Sequence, residues 1–135
     1  MTAELDAIGI IVSDIGASIS FYEMLALEFP RGAATEPHAE AVLPSGMRLM
    51  LDTEDVIAGF DPTFTSPAGR GRIGLAVRYD SPAEVDAAFR SIVAAGHRPH
   101  LEPFDAFWGQ RYAGVQDPDG NVIDLYAALA SPDAP

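Results

Sequence analysis

The chain repeats one order of elements, and this repeat constrains its fold more than any other feature. The apolar segments AIGIIV (residues 7–12) and RIGLAV (residues 72–77) match in their apolar positions and share a glycine in third place. Each is followed by a capped segment with helical periodicity and then by short strand-like segments. Each half ends on a glycine followed by an alternating run, GMRLMLD from Gly46 and GNVIDLY from Gly120. The sequence therefore predicts two copies of a β-α-β-β-β unit and an α+β fold.

Capping and turn residues set the bounds of the predicted elements. Asp14 and Ser81 precede the two helical stripes as N-caps, and Gly96 is a suitable stop for the second helix. A short strand-like stub after the first helix ends at Pro30 and Gly32. The other strands are predicted at residues 5–12, 39–43, 47–52, 72–77, 101–107, 111–116 and 122–126. The first of these strands is apolar enough to be buried on both faces.

The length of 135 residues indicates a single domain. The repeat divides this domain into a first module, an irregular connector rich in proline and glycine, a second module and a flexible tail, at residues 1–52, 53–71, 72–127 and 128–135. Phe60 and Phe64 are candidates to fasten the connector.

Composition excludes several classes of partner. The net charge of −12 disfavours nucleic acid and anionic membranes, because the summed field repels them. The chain has no cysteine, which excludes disulfides, thiolate metal sites and a cysteine nucleophile. No segment approaches the roughly 18 apolar residues of a membrane span, and the N-terminus does not resemble a leader. We expect a soluble cytoplasmic protein.

Two longer segments resemble the signatures of the vicinal oxygen chelate superfamily, the group of glyoxalases, bleomycin-resistance proteins and extradiol dioxygenases. The segment VSDIGASISFYEMLAL (residues 12–27) is similar to its strand-to-helix signature, which ends in Phe-Tyr. The segment WGQRYAGVQDPDGNVIDLY (residues 108–126) is similar to its C-terminal signature. The resemblance covers nearly the whole chain. It implies two βαβββ modules that form curled mixed sheets around a cleft, usually in a homodimer that completes the sites.

The resemblance also implies where a metal would be bound. Metal enzymes of this family use His, Glu or Gln at inward-facing strand positions that correspond here to Ala7, Met50, Arg72 and Asp124. A divalent ion needs several imidazole or carboxylate donors, whereas a methyl group has no donor atom, a thioether suits soft copper and a guanidinium repels cations. Only Asp124 is a suitable ligand. We therefore expect no metal and no cofactor, and an Arg72–Asp124 ion pair at this place.

Aromatic residues concentrate around the Trp-Gly pair at residues 108 and 109. Flat rings provide contact area at low entropic cost, and their faces attract cations and planar groups. The resemblance places the Trp-Gly pair at the mouth of the cleft. The predicted ligand-binding residues are Trp108, Tyr112, Phe104, Phe107, Gln110, Arg72, Asp124 and Met50. For Phe104 and Phe107, packing in the core beneath the hairpin is the alternative, and in the family the arginine at position 111 often has a structural role.

Histidines and turn carboxylates give weaker indications of a site. His38 lies in a predicted polar loop, and His97 and His100 are three residues apart in an extended segment, where they point in opposite directions. Roles at the surface or at a ligand rim fit all three. The segment DPDGN (residues 117–121) predicts a tight turn rather than a calcium loop, because a proline interrupts it and the twelfth-position glutamate is missing.

Three functional hypotheses follow. The first is a metal-free protein, resembling bleomycin-resistance proteins, that sequesters a neutral or cationic organic molecule such as an antibiotic in an aromatic-lined crevice. Binding is favoured over catalysis because no activated nucleophile or acid-base pair is recognisable. The second is a metalloenzyme related to glyoxalases, lyases or dioxygenases. The third is a metal-free isomerase or cyclase in which Asp124, steered by Arg72, acts as a general base.

Overall fold

The computed structural model describes residues 2–66 and 73–130, and these residues form an α+β fold with two mixed sheets, as predicted. The chain divides into two compact units, Met1–Ala68 and Gly69–Pro135, each with its own sheet. Within the described ranges, no helix has both the length and the apolar character needed to cross a bilayer. Arg72 lies outside the described residues, and so do the predicted Arg72–Asp124 ion pair and most of the predicted tail.

The first unit packs one side of a three-stranded sheet against a capped helix. Its elements are β1 (Ala7–Val12), α1 (Ile15–Glu23), β2 (His38–Val42), β3 (Arg48–Thr53) and α2 (Glu54–Phe60). The strand order is β1-β3-β2, with β1 parallel and β2 antiparallel to β3. The Asp14 carboxylate caps α1 by accepting a hydrogen bond from the Ala17 amide at 3.1 Å. Burial alternates along β3, so Leu49 and Leu51 belong to the core while their neighbours lie on the other face.

The first unit has one strand fewer than the predicted βαβββ repeat. The stub after α1, residues 26–32, contains no strand in the structure. Ala26 and Gly32 have positive φ angles of 65° and 83°, and Pro30 has no N–H to donate to a ladder. The chain turns here instead of extending, and β2 is left as an edge strand.

Two further predictions for the first unit were wrong. β1 is not buried on both faces, because only Val12 is fully buried and Gly9 is exposed. The connector is not irregular throughout, since it begins with the helix α2. Thr53 caps this helix by accepting from the Val56 amide at 3.3 Å, and acidic residues in its first turn complement the helix dipole.

The second unit is a complete β-α-β-β-β module. Its elements are β4 (Leu75–Arg78), α3 (Pro82–Ala94), β5 (Pro99–Ala106), β6 (Gln110–Gln116) and β7 (Val122–Ala128). The strand order is β4-β7-β6-β5, with β4 parallel to β7 and the remaining pairs antiparallel. Ser81 caps α3, whose buried stripe is Val85, Phe89 and Ile92. Gly96 follows the helix with a φ of 99°, which a glycine adopts at no steric cost.

Candidate functional site

One face of the second sheet carries a row of aromatic side chains. The strand register places Tyr126 of β7 opposite Tyr112 of β6, and Tyr112 opposite Phe104 of β5. Directly paired residues point to the same face of a sheet, so the three side chains form a row across three strands. The other face of the sheet packs on α3 through Ile123 and Leu125, which are almost fully buried. We call the row together with Trp108 and Phe107 the aromatic face.

Trp108 packs against three of these rings and keeps half of its surface free. Its ring centroid lies 5.3 Å from that of Tyr112, 6.3 Å from that of Phe104 and 5.0 Å from that of Phe107, with near-perpendicular planes. The indole N–H donates to the Gln110 side-chain oxygen at 2.8 Å, which fixes the ring. Trp108 remains 50% exposed and Phe107 98% exposed, so the structure leaves flat apolar surface available for contact. The structure brings together five of the predicted ligand-binding residues here, and their role in binding stays a prediction.

Asp124 lies on the same side of the sheet, beside the aromatic row. Its register partners are Ala76 on β4 and Gly114 on β6, and its carboxylate interacts with the Tyr112 hydroxyl. Burial of the phenol, with its interaction with the Asp124 carboxylate as the second cause, raises the pKa of Tyr112 to about 12. Tyr112 is therefore a protonated donor near neutral pH. The His100 side chain covers Gly114, where a β-carbon would approach its Cδ2 to 3.3 Å.

The positions that the resemblance assigns to a metal do not provide a suitable donor set. Ala7 and Met50 lie in the first unit, on β1 and β3, and contribute a methyl group and a thioether. Asp124 lies in the second unit, and Arg72 is not among the described residues. Within residues 2–66 and 73–130, no three His, Asp or Glu side chains are grouped so that they hold an ion. The residues present therefore do not fit the hard dication that metal enzymes of this family use.

The first sheet carries a chain of ion pairs that the sequence did not reveal. Nδ1 of His38 lies 2.5 Å from an Asp52 carboxylate oxygen, and Nε2 lies 2.7 Å from a Glu40 oxygen. Glu40 also accepts from Arg48 at 2.8 Å, and Arg48 reaches Asp6 at 2.6 Å. A neutral imidazole has one N–H, so short contacts to carboxylates at both nitrogens require the imidazolium. His38 begins β2 rather than lying in a loop, and its partners lie on opposite sides of its ring, so the three do not converge on one ion.

This imidazolium makes stability depend on pH. The hydrogen bonds to Glu40 and then to Asp52 raise the pKa of His38 above its usual value of 6.5. A raised pKa contributes stability that is fully present below the unfolded-state value and is lost as pH rises through the folded-state value. We expect the wild type to lose a small part of its unfolding free energy as pH rises above 6.5 and through the raised folded-state pKa, and His38→Gln to lose less. Urea unfolding of both proteins measures this difference, and parallel pH profiles would contradict the assignment.

A groove of about 550 Å³ lies at the ends of β1 and β3 in the first unit. Its walls include the carboxylates Glu36, Glu54 and Asp55, and its apolar lining is limited to small parts such as Ile15 and Val56. Sites for organic ligands are mostly apolar with a few placed polar groups. The aromatic face is more apolar than this groove and therefore resembles such ligand sites more closely.

Two charged residues of the C-terminal signature have structural partners. Arg111 donates to both carboxylate oxygens of Asp86 on α3, at 2.9 and 3.2 Å, and to Asp105 on β5 at 3.1 Å. It thereby ties the helix to the sheet, in agreement with the structural role that the resemblance implies. Asp117 is 1% exposed and accepts from Asn121 within the tight turn between β6 and β7, which is the turn that the sequence predicts.

An α+β fold with two mixed sheets and a β-α-β-β-β unit defines the structural class of glyoxalases and bleomycin-resistance proteins. The family model of the Glyoxalase/Bleomycin resistance protein/Dioxygenase superfamily matches residues 4–125, and the chain belongs to this superfamily. The resemblance drawn from the two signatures is confirmed. No curated protein matches the sequence.

Solved structures of this family share the fold at low sequence identity. A glyoxalase/bleomycin resistance protein/dioxygenase family enzyme from Burkholderia phytofirmans PsJN superposes with a TM-score of 0.81 at 19% identity, over 94% of this chain and 100% of that one. A glyoxalase-related enzyme from Fulvimarina pelagi gives 0.78 at 18% identity, over 99% and 96% of the two chains. A glyoxalase/bleomycin resistance protein/dioxygenase from Nocardioides gives 0.74 at 24% identity, over 100% and 91%. These likenesses establish the fold and leave the activity open.

Proposed function

We propose that this protein binds a neutral or cationic organic molecule on the aromatic face, without a metal, and so sequesters it as a bleomycin-resistance protein would. The observation that carries the proposal is the half-exposed Trp108, held by Gln110 and surrounded by three further rings. Exposed rings that are fixed in position lose little entropy when a planar ligand stacks on them. We further propose a cytoplasmic homodimer, as the resemblance implies.

The chemistry of the described residues favours binding over catalysis. The donor set does not fit the metal of the related enzymes, which disfavours a glyoxalase-like or dioxygenase-like reaction. Asp124 is the candidate base for an isomerase or cyclase, but the Arg72 side chain that was predicted to steer it lies outside the described residues. Binding of a ligand on the aromatic face requires neither a metal nor a general base.

Replacing Trp108 tests the proposal. Isothermal titration of the wild type is expected to show binding of planar probes, for which we choose the cation 9-aminoacridine and the neutral acridone. Trp108→Ala is expected to weaken both by roughly tenfold, which corresponds to about 1.4 kcal/mol, because it removes the main stacking surface. Trp108 is the only tryptophan in the chain, so quenching of the wild-type fluorescence reports contact with it directly.

Phe60→Ala is the matched control for this substitution. Phe60 is 71% exposed on α2 of the first unit and is not part of the aromatic face, so its removal should leave both affinities unchanged. Equal effects of the two substitutions, or no effect of Trp108→Ala, would place the ligand elsewhere on the protein.

A further inference from the structure

We infer that the ligand of the aromatic face is a planar cation with N–H donors, whose positive group contacts Asp124 while its flat part stacks on Trp108. This inference rests on the proposed function and adds to it the charge of the ligand and the residue that recognises the charge. It follows from three features of the second sheet: the space around Asp124, the positions of the arginines, and the supply of donors and acceptors.

The surroundings of Asp124 leave space for a small polar group. Its two neighbours across the sheet, Ala76 and Gly114, carry one methyl group and no side chain. Tyr112 borders this space on the side of the aromatic row, and the His100 side chain, which covers Gly114, borders it on the side of β5. A partly exposed carboxylate with small neighbours on both adjacent strands therefore lies directly beside a flat aromatic surface.

The charges on the second sheet favour a cation beside Asp124. Arg111 points to the helix-covered face, where Asp86 and Asp105 hold it. Arg78 shares the open face with Asp124 and is its diagonal neighbour on β4, and its side chain is exposed to solvent. Within the described residues, no arginine forms an ion pair with Asp124. Among these residues the Asp124 carboxylate therefore has no arginine partner, and the chain's net charge of −12 adds to its attraction for cations.

The polar atoms of the aromatic face determine what kind of cation fits. The Tyr112 hydroxyl already interacts with Asp124, and the Trp108 N–H is already donated to Gln110. These two donors are used within the protein, whereas a carboxylate accepts several hydrogen bonds and ring faces attract positive charge. The complementary ligand brings its own N–H donors and a delocalised positive charge, as amidines, guanidines and amino-substituted heteroaromatic cations do.

Three planar probes separate charge from shape and from hydrogen bonding. Isothermal titration of 9-aminoacridine, N-methylacridinium and acridone gives a cation with N–H donors, a cation without them and a neutral molecule of similar size. We expect the wild type to bind 9-aminoacridine roughly tenfold more tightly than acridone, with N-methylacridinium between them. Asp124→Asn is expected to remove most of this preference while changing acridone affinity by less than about twofold, because the amide preserves size but not charge.

Control variants keep the result interpretable. Glu102→Gln removes one exposed charge from the same sheet, on β5, and should preserve the preference. If Asp124→Asn does not fold, Asp124→Ala replaces it as the variant without the charge, and it should remove the preference in the same way.

A wild-type preference near one, or absence of binding by every probe, overturns the inference. So does a preference that Asp124→Asn leaves intact while Trp108→Ala weakens all the probes, a result that would leave the proposed function standing. Insensitivity of all probes to Trp108→Ala would instead overturn the proposed function.

Discussion

Asp117→Ala is expected to lower the unfolding free energy by about 3 kcal/mol, because the Asp117 side chain organises the turn between β6 and β7. This side chain is 1% exposed. One of its oxygens accepts from the backbone amides of Asp119 at 3.0 Å and Asn121 at 2.8 Å, and the other accepts from the Asn121 side-chain amide at 2.8 Å. Alanine would leave these donors without their acceptor in a half-buried turn, and each orphaned donor costs about 1–3 kcal/mol.

Asp117→Asn provides a graded comparison. An asparagine oxygen replaces the acceptor of the two backbone amides, but its NH₂ group then faces the NH₂ group of Asn121. Its cost should therefore lie between that of alanine and zero, at about 1–2 kcal/mol. Glu102→Ala, at an exposed position on β5, is the control and should stay within about 0.5 kcal/mol. Urea unfolding measures all three variants, and an alanine variant as stable as the control would contradict the role assigned to this turn.

The helix starts were predictable because their signals are local. The side chains of Asp14 and Ser81 cap helices within three residues of themselves, so the sequence alone contains both partners. The prediction that the connector is irregular throughout was wrong for a related reason. Its prolines and glycines outweighed Thr53 and the acidic residues after it, although those residues carry the same local signal for α2.

Strand partners were less predictable, because pairing depends on register. The missing strand of the first unit has a suitable composition, but Ala26 and Pro30 direct the chain away from β2. The ion pairs of His38 depend on its position opposite Asp52 in the β2–β3 hairpin. The sequence alone does not determine the length of the hairpin loop and therefore does not determine this register. The alternation of apolar and polar residues in HAEAV and RLMLD was the only sequence signal for this strand pairing.

Only the part of the candidate site that is contiguous in sequence was predicted. Phe104, Phe107, Trp108 and Tyr112 belong to one hairpin, so their proximity follows from the strand break at Gly109. The contact between Tyr112 and Asp124 was not predicted from the sequence, and the predicted partner Arg72 lies outside the described residues. Counting back from the tight turn, with Gln116 opposite Val122, places Gly114 opposite Asp124 and makes Tyr112 its diagonal neighbour. The turn residues therefore contained a signal for this contact.

Phe21→Ala is expected to lower the unfolding free energy by about 3–5 kcal/mol, because it empties the centre of the first unit's core. Phe21 and Tyr22 form the Phe-Tyr pair of the first signature, and both are 0% exposed. Their rings meet edge to face with centroids 5.0 Å apart, so alanine removes both the buried area and this contact.

Phe60→Ala makes the same chemical change at a position that is 71% exposed, and it should cost less than about 0.5 kcal/mol. The sequence suggested that Phe60 fastens the connector. Its large exposed fraction shows that this prediction was wrong. The difference between the two variants in urea unfolding isolates burial from the change of residue type. Similar losses in both variants would show that the helix α1 does not form the core that holds β3, and that the family signature serves a role other than packing.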